Sequence, residues 1–171
     1  MKIRFARSRR LPGPLGLLGL LGLGVAAAGL VQAAALPPAD ARPLSQILDA
    51  VVAAHPGVVV SAEFDEGRWE VLSCDADGRR CRELRVDPRS AKTLRSSAEW
   101  SGGPRPPADG RTAAQIARAI EERGLGTITE LEFDAPLWEL ELRGTGVRAK
   151  LYVDPVSGEI QRCRGQGCPT R

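Results

Sequence analysis

Between Pro43 and Ala54 the apolar residues Leu44, Ile47, Leu48, Val51 and Val52 fall at i, i+3, i+4, i+7 and i+8. That spacing predicts one apolar face of a helix. Pro43 suits its first turn, Asp40 or Arg42 marks its start, and Pro56-Gly57 ends it. A second helix is predicted where Ala113, Ile116, Ala117 and Ile120 form a stripe, with Thr112 placed to cap it and Gly124 to stop it. After each helix the period changes from helical to two. Trp138, Leu140 and Leu142 alternate with Glu139 and Glu141, the pattern of a strand with one buried face. Ala149, Leu151 and Val153 alternate with Arg148, Lys150 and Tyr152 on a strand returning after Gly144-Thr145-Gly146. Ile128–Phe133 precedes them as a strand with Leu131 and Phe133 inward. Earlier in the chain, Val58–Phe64, Arg68–Cys74 and Cys81–Asp87 predict three more strands. Asp154-Pro155-Val156-Ser157-Gly158 is a tight turn, after which Glu159–Arg162 starts a short fourth strand.

The two halves of this pattern share landmarks. Arg42, Gln46-Ile47, Ala50, Gly57, Glu63-Phe64-Asp65, Trp69-Glu70 and Val86-Asp87-Pro88 are matched by Arg111, Gln115-Ile116, Ala119, Gly126, Glu132-Phe133-Asp134, Trp138-Glu139 and Val153-Asp154-Pro155. Trp138 follows Trp69 by 69 positions, whereas Pro155 follows Pro88 by 67. The first copy therefore holds two extra residues, most simply in a hairpin loop. An internal repeat fixes the organisation before any other signal. The expected fold class is α+β, with two tandem small units, each one helix packed on a three- to four-stranded antiparallel sheet. The units span 42–95 and 111–163, joined by a Ser-, Gly- and Pro-rich linker over 96–110 and followed by a tail over 164–171. Each unit is near the lower size limit for a self-sufficient core, so docking of the two or support from disulfides is expected. Trp100, inside the linker, is expected to pack back onto a neighbouring unit rather than to anchor a partner.

The first 35 residues change the reading of charge and compartment. They hold Lys2, Arg4, Arg7, Arg9 and Arg10, no acid, then a Leu/Gly/Ala-rich run over 15–35 ending in small residues. This is the composition of a secretory signal cleaved after Ala33 or Ala35, with an uncleaved membrane anchor as the competing reading. No cysteine lies near that end, which argues against a lipoprotein anchor. The formal net charge is +3, and removing the five cations of the signal leaves about −2. The remaining chain gives no reason to expect nucleic acid as a partner. A periplasmic location follows, with contact to a membrane only through the N-terminal segment if it is not cleaved.

All four cysteines, Cys74, Cys81, Cys163 and Cys168, lie in the exported part. An even count in an oxidising compartment favours disulfides. Sequence proximity suggests Cys74–Cys81, flanking the turn-rich Asp75-Ala76-Asp77-Gly78, and Cys163–Cys168, closing a loop at the C-terminus. It is one of three possible connectivities. Zinc and redox chemistry compete, but neither pair has the short Cys-x-x-Cys spacing those roles favour.

No catalytic constellation emerges. His55, the one histidine, precedes Pro56-Gly57 at a helix end and has no equivalent in the other copy, where Gly124 holds the matched position. A surface histidine favoured by the helix dipole explains it. Glu63/Asp65 and Glu132/Asp134 fall on the solvent side of their strands, where paired acids are solvated. Asp87 and Asp154 are expected to cap their turns. Glu139 and Glu141 opposite Arg148 and Lys150 predict cross-strand charge pairing. No cofactor or metal site is assigned.

A helix, a strand, Trp-Glu-(Val/Leu), a hairpin and then Val-Asp-Pro-x-Ser-(Gly) together resemble the PepSY domain family. The second copy is the better match, through Trp138-Glu139-Leu140-Glu141-Leu142 and Tyr152-Val153-Asp154-Pro155-Val156-Ser157-Gly158-Glu159-Ile160. The first departs with Cys74, Cys81, a longer hairpin and Arg89-Ser90-Ala91 in the turn. Trp69, Asp87, Pro88, Trp138, Asp154 and Pro155 are the repeated structural positions. The resemblance implies a binding or inhibitory module rather than an enzyme, such domains being associated in propeptides with restraining a protease. No protease domain follows in the sequence, so the expected partner is a separate envelope protein such as a protease or sensor. The alternative expectation is a small-molecule or cation-binding periplasmic protein using the acidic strand faces.

Overall fold

The computed structural model describes residues 36–99 and 103–169. The export segment over 1–35 and Trp100 lie outside them. The elements run α1 (Leu44–Ala54), β1 (Val58–Asp65), β2 (Arg68–Cys74), β3 (Cys81–Val86), β4 (Thr93–Glu99), α2 (Ala113–Glu121), β5 (Thr127–Asp134), β6 (Leu137–Gly144), β7 (Val147–Val153) and β8 (Ile160–Gln166). Helix and strand type agree with the periodicity except at β4, which no alternation marked. The cap of α2 is the expected one and more: the Thr112 hydroxyl accepts from the Gln115 N–H while the Gln115 side chain accepts from the Thr112 N–H. α1 has no such device, because Pro43 is its cap residue and makes no side-chain bond. Replacing Thr112 by Ala is expected to lower the unfolding free energy by about 1 kcal/mol, read by denaturant titration.

Two tandem helix-on-sheet units are not what the chain builds. The strands form one eight-stranded antiparallel sheet in the order β4-β3-β2-β1-β5-β6-β7-β8. The first strands of the two meanders pair at its centre, through Ser61↔Glu132, Ala62↔Leu131 and Glu63↔Glu130. Alone, each meander would leave its first strand as an edge with unpaired N–H and C=O groups. Joining β1 to β5 removes both edges at once. The same joint sets α1 beside α2, where the Glu121 carboxylate accepts from the Ser45 N–H at 3.1 Å and Arg118 pairs with Asp49. One continuous core results. Ile47, Leu48 and Val51 of α1 and Ile116, Ala117 and Ile120 of α2 share it with Phe64, Trp69, Val71, Leu84, Leu131, Phe133, Trp138, Leu140 and Leu151. The expected linker is also shorter than its composition suggests, since residues 96–99 belong to β4, an edge strand.

Inside this core each half carries the same aromatic pair. Phe64 faces Trp69 across β1–β2, with ring centroids 5.4 Å apart at 67°, and Phe133 faces Trp138 across β5–β6 at 5.3 Å and 69°. These edge-to-face contacts add to the burial of four large rings. Both indole N–H groups are buried without a hydrogen-bond partner.

The Asp-Pro turns anchor the helices. Asp87 accepts from the N–H groups of Arg89 and Ser90, and Asp154 from those of Val156 and Ser157. The carbonyl of the following proline then accepts the backbone N–H of a matched arginine: Arg42 to Pro88 at 2.9 Å and Arg111 to Pro155 at 2.7 Å. The side chains complete each staple, Arg42 donating to the Arg89 carbonyl and Arg111 to that of Val156. The sequence marked Arg42 and Arg111 as matched without assigning them this role. Asp40, offered as a helix start, instead pairs with Arg89 at 2.7 Å.

Candidate functional site

Because both helices lie on one side of the sheet, alternation sends the other half of the strand residues to a face that neither helix contributes to. From one edge to the other this open face carries Arg95 and Ser97 on β4, Glu83 and Arg85 on β3, Glu70 and Leu72 on β2, and Glu63 and Asp65 on β1. It continues with Glu130, Glu132 and Asp134 on β5, Glu139, Glu141 and Arg143 on β6, Arg148, Lys150 and Tyr152 on β7, and Arg162 and Arg164 on β8. Carboxylates occupy the centre and arginines the β7–β8 flank. Beneath the β2–β3 hairpin, Val60, Leu72, Cys74 and Cys81 make a small apolar cluster.

Of the acids read in sequence as solvated, Asp65 is exposed, whereas Glu63 and Glu132 are half-buried at the seam together with Glu130. Glu63 stands directly opposite Glu130, and Glu132 opposite Ser61, across the seam between the halves. Burial lifts the carboxyls of Glu63, Glu130 and Glu132 above the ordinary glutamate range, and the charges of neighbouring carboxylates push the same way. Burial also raises Glu70, with Glu83 adding to the shift and Arg85 opposing it. Bases answer part of this charge. Lys150 reaches Glu139 at 3.0 Å and Glu141 at 3.5 Å, Arg85 reaches Glu70 at 3.2 Å, and Arg143 reaches Glu141 at 3.2 Å. Burial alone would lower the Lys150 ammonium, but the hydrogen bond and charge of Glu139 carry it above its usual value. The expected pairing opposite Glu139 and Glu141 therefore falls to Lys150, while Arg148 faces Arg143 across the strands.

The sign of the pH dependence follows. A carboxyl raised on folding binds more protons in the native state, so its stabilising share is present at low pH and is lost as pH rises above the ordinary glutamate range. Asp75, Asp87 and Asp154 act oppositely. Backbone N–H groups hold all three low, Asp75 to about 2, so their share is present at neutral pH and is lost on acidification. Removing one charge at the seam should thus help only where that charge exists. Glu130→Gln is expected to stabilise the protein at pH 7 by up to about 1 kcal/mol and to lose that advantage at pH 4, as measured by thermal unfolding at both values.

The β7–β8 flank is built differently. The Arg162 guanidinium stacks 3.8 Å above the Tyr152 ring and that of Arg164 lies 5.8 Å from it, a cation–π arrangement that orders two arginines on an edge strand. Cys163–Cys168 closes the loop at the end of that strand, and Cys74–Cys81 staples the β2–β3 hairpin with its Cα atoms 3.9 Å apart. Both pairs are those suggested by proximity in sequence. Trp69 and Trp138 lie in the core, and Pro88 and Pro155 in the turns that anchor the helices. His55 is the residue closing α1, and its Nε2 lies 3.1 Å from the Thr93 hydroxyl. Among the described residues no group of His, Cys, Asp and Glu is arranged to hold a metal ion, and no helix is long and apolar enough to cross a membrane.

Residues 103–163 match the family model PepSY_2, described as peptidase propeptide and YPEB domain. No curated protein matches the chain. Among solved structures, a candidate lipoprotein from Clostridium difficile 630 aligns with a TM-score of 0.44 at 14% identity, covering 71% of this chain and 91% of that one.

Proposed function

We propose, from the match of residues 103–163 to the PepSY family model, that the protein is a non-catalytic exported module which binds a separate envelope protein, such as a protease or sensor, and regulates it. The observation that carries this reading is the open sheet face with its two terminal strands. One side of eight strands is left without a helical cover, and β4 and β8 each present an edge. An extended segment of a partner can add to such an edge by main-chain hydrogen bonding, with side chains on alternate positions setting specificity. Of the two edges, β8 is the better prepared. Arg162 and Arg164 are exposed on it, held over Tyr152, and would favour an acidic partner segment.

A photoreactive residue placed at Arg162 or Arg164 in the full chain, compared with one at the exposed helix-end position Glu122, tests the reading in the native envelope. The β8 positions are expected to give a saturable protein adduct that excess unlabelled protein competes away and that Glu122 does not give. Adducts of equal yield from both sites, or none that saturates, would set the reading aside.

A further inference from the structure

The two halves differ most in one place on the helix-covered side, and the difference leaves a cavity. In the second half, β6 and β7 bring Leu142 opposite Ala149 in the core, with Leu125 and Val147 packed against them. The corresponding pair on β2 and β3 is Ser73 opposite Arg82. Arg80 stands where the second half has Val147, Pro56 where it has Leu125, and His55 where it has Gly124. An apolar corner has thus been exchanged for a polar one. The result is a partly open cavity of about 470 Å³ lined by His55, Ser73, Asp75, Arg80, Arg82 and Leu84. It is rimmed by the Cys74–Cys81 hairpin, the region that holds the two extra residues of the first half.

The charges of the lining point to the sign of an occupant. Asp75 is already satisfied, accepting from the Arg80 backbone and pairing with its guanidinium at 3.1 Å. The Arg82 guanidinium takes part in none of the ion pairs among the described residues. The His55 ring and the Ser73 hydroxyl add two polar groups, and Leu84 supplies an apolar floor. A cation would meet two arginines. An oxyanion would find a free guanidinium, which binds carboxylate or phosphate through paired N–H donors. We infer that this cavity is a binding site for a small organic anion, one carboxylate or phosphate group on a compact apolar body. The site is separate from the open face and from β8, so partner binding there and anion binding here can stand or fall independently.

The single histidine makes the test direct, because His55 lines this cavity and its ring signals in an isotope-labelled sample have no other histidine to be confused with. Benzoate and inorganic phosphate are titrated into the full chain at neutral pH. A saturable shift of the His55 signals is expected, with benzoate tighter than phosphate because Leu84 lies in the lining, and equal affinities would overturn the apolar body of the proposed ligand. Arg82→Ala, which installs the residue type of the second half at an exposed position, should weaken binding about tenfold or more. Arg148→Ala, on the opposite face, should leave it unchanged. Filling the corner with Ser73→Leu and Arg82→Ala together should abolish the shift while the cooperative thermal transition is kept. A shift that never saturates with either probe, one that survives Arg82→Ala, or one lost equally in Arg148→Ala overturns the proposal.

Discussion

Trp138→Ala is expected to lower the unfolding free energy by about 3–5 kcal/mol and to shift the melting of the whole protein as one transition. The indole is fully buried, packs edge-to-face on Phe133, and belongs to a cluster that includes residues of both helices and of strands from both halves. Its loss leaves a large cavity in a core that cannot collapse on one side only. Trp138→Phe should cost less, since it keeps an apolar ring and removes a buried N–H that has no partner. Far- and near-ultraviolet circular dichroism followed through one denaturant titration checks the point. Two separated transitions, with the first half melting at its original midpoint, would mean that the halves hold separate cores.

Ala62→Asp is expected to cost about 3–5 kcal/mol at neutral pH, comparable to stranding a buried charge without its partner. Ala62 is fully buried at the centre of the sheet, opposite Leu131 on β5 and Val71 on β2. A carboxylate there would meet apolar side chains in the seam that joins the halves. Burial would raise the new carboxyl, so part of the loss should return on acidification as it takes up a proton. Equilibrium unfolding of the variant at pH 7 and pH 5 measures both effects. A wild-type midpoint at pH 7 would show that the seam is open to water.

Most of the secondary structure was legible from periodicity, because strands such as β5 and β6 bury alternate residues and each helix buries one stripe, whereas β4 buries none and carried no such signal. The alternation in Leu131–Phe133 and Trp138–Leu142 left little freedom in which side chains turn inward. Thr112 was legible as a cap because its bond to Gln115 is local in sequence, and the cysteine pairs because each closes a short loop. Nothing in either half announces that β1 will pair with β5. Glu63 and Glu130, set opposite each other there, look like ordinary solvent-facing acids when each strand is read alone. Arg42 and Arg111 stood out as matched, but their anchoring to the Asp-Pro turns links residues far apart in the chain.

The sequence by itself determined both helices, all the strands but β4, the inward-facing set and the resemblance of the second half to a known family, and it suggested the disulfide pairing that the structure shows. All of these depend on the identity of near neighbours, where spacing along the chain sets spacing in space. Only the tertiary structure decided that the two halves share one sheet and one core. Edge strands pair with whatever complementary edge is presented, and two small cores gain by burying their remaining apolar surface against each other. It also decided that the acids gather on one open face and that a polar cavity stands in the first half where the second is packed with Leu125, Leu142 and Val147. Those outcomes depend on which strands lie side by side, a choice made by the energy of the whole sheet rather than by any segment of it.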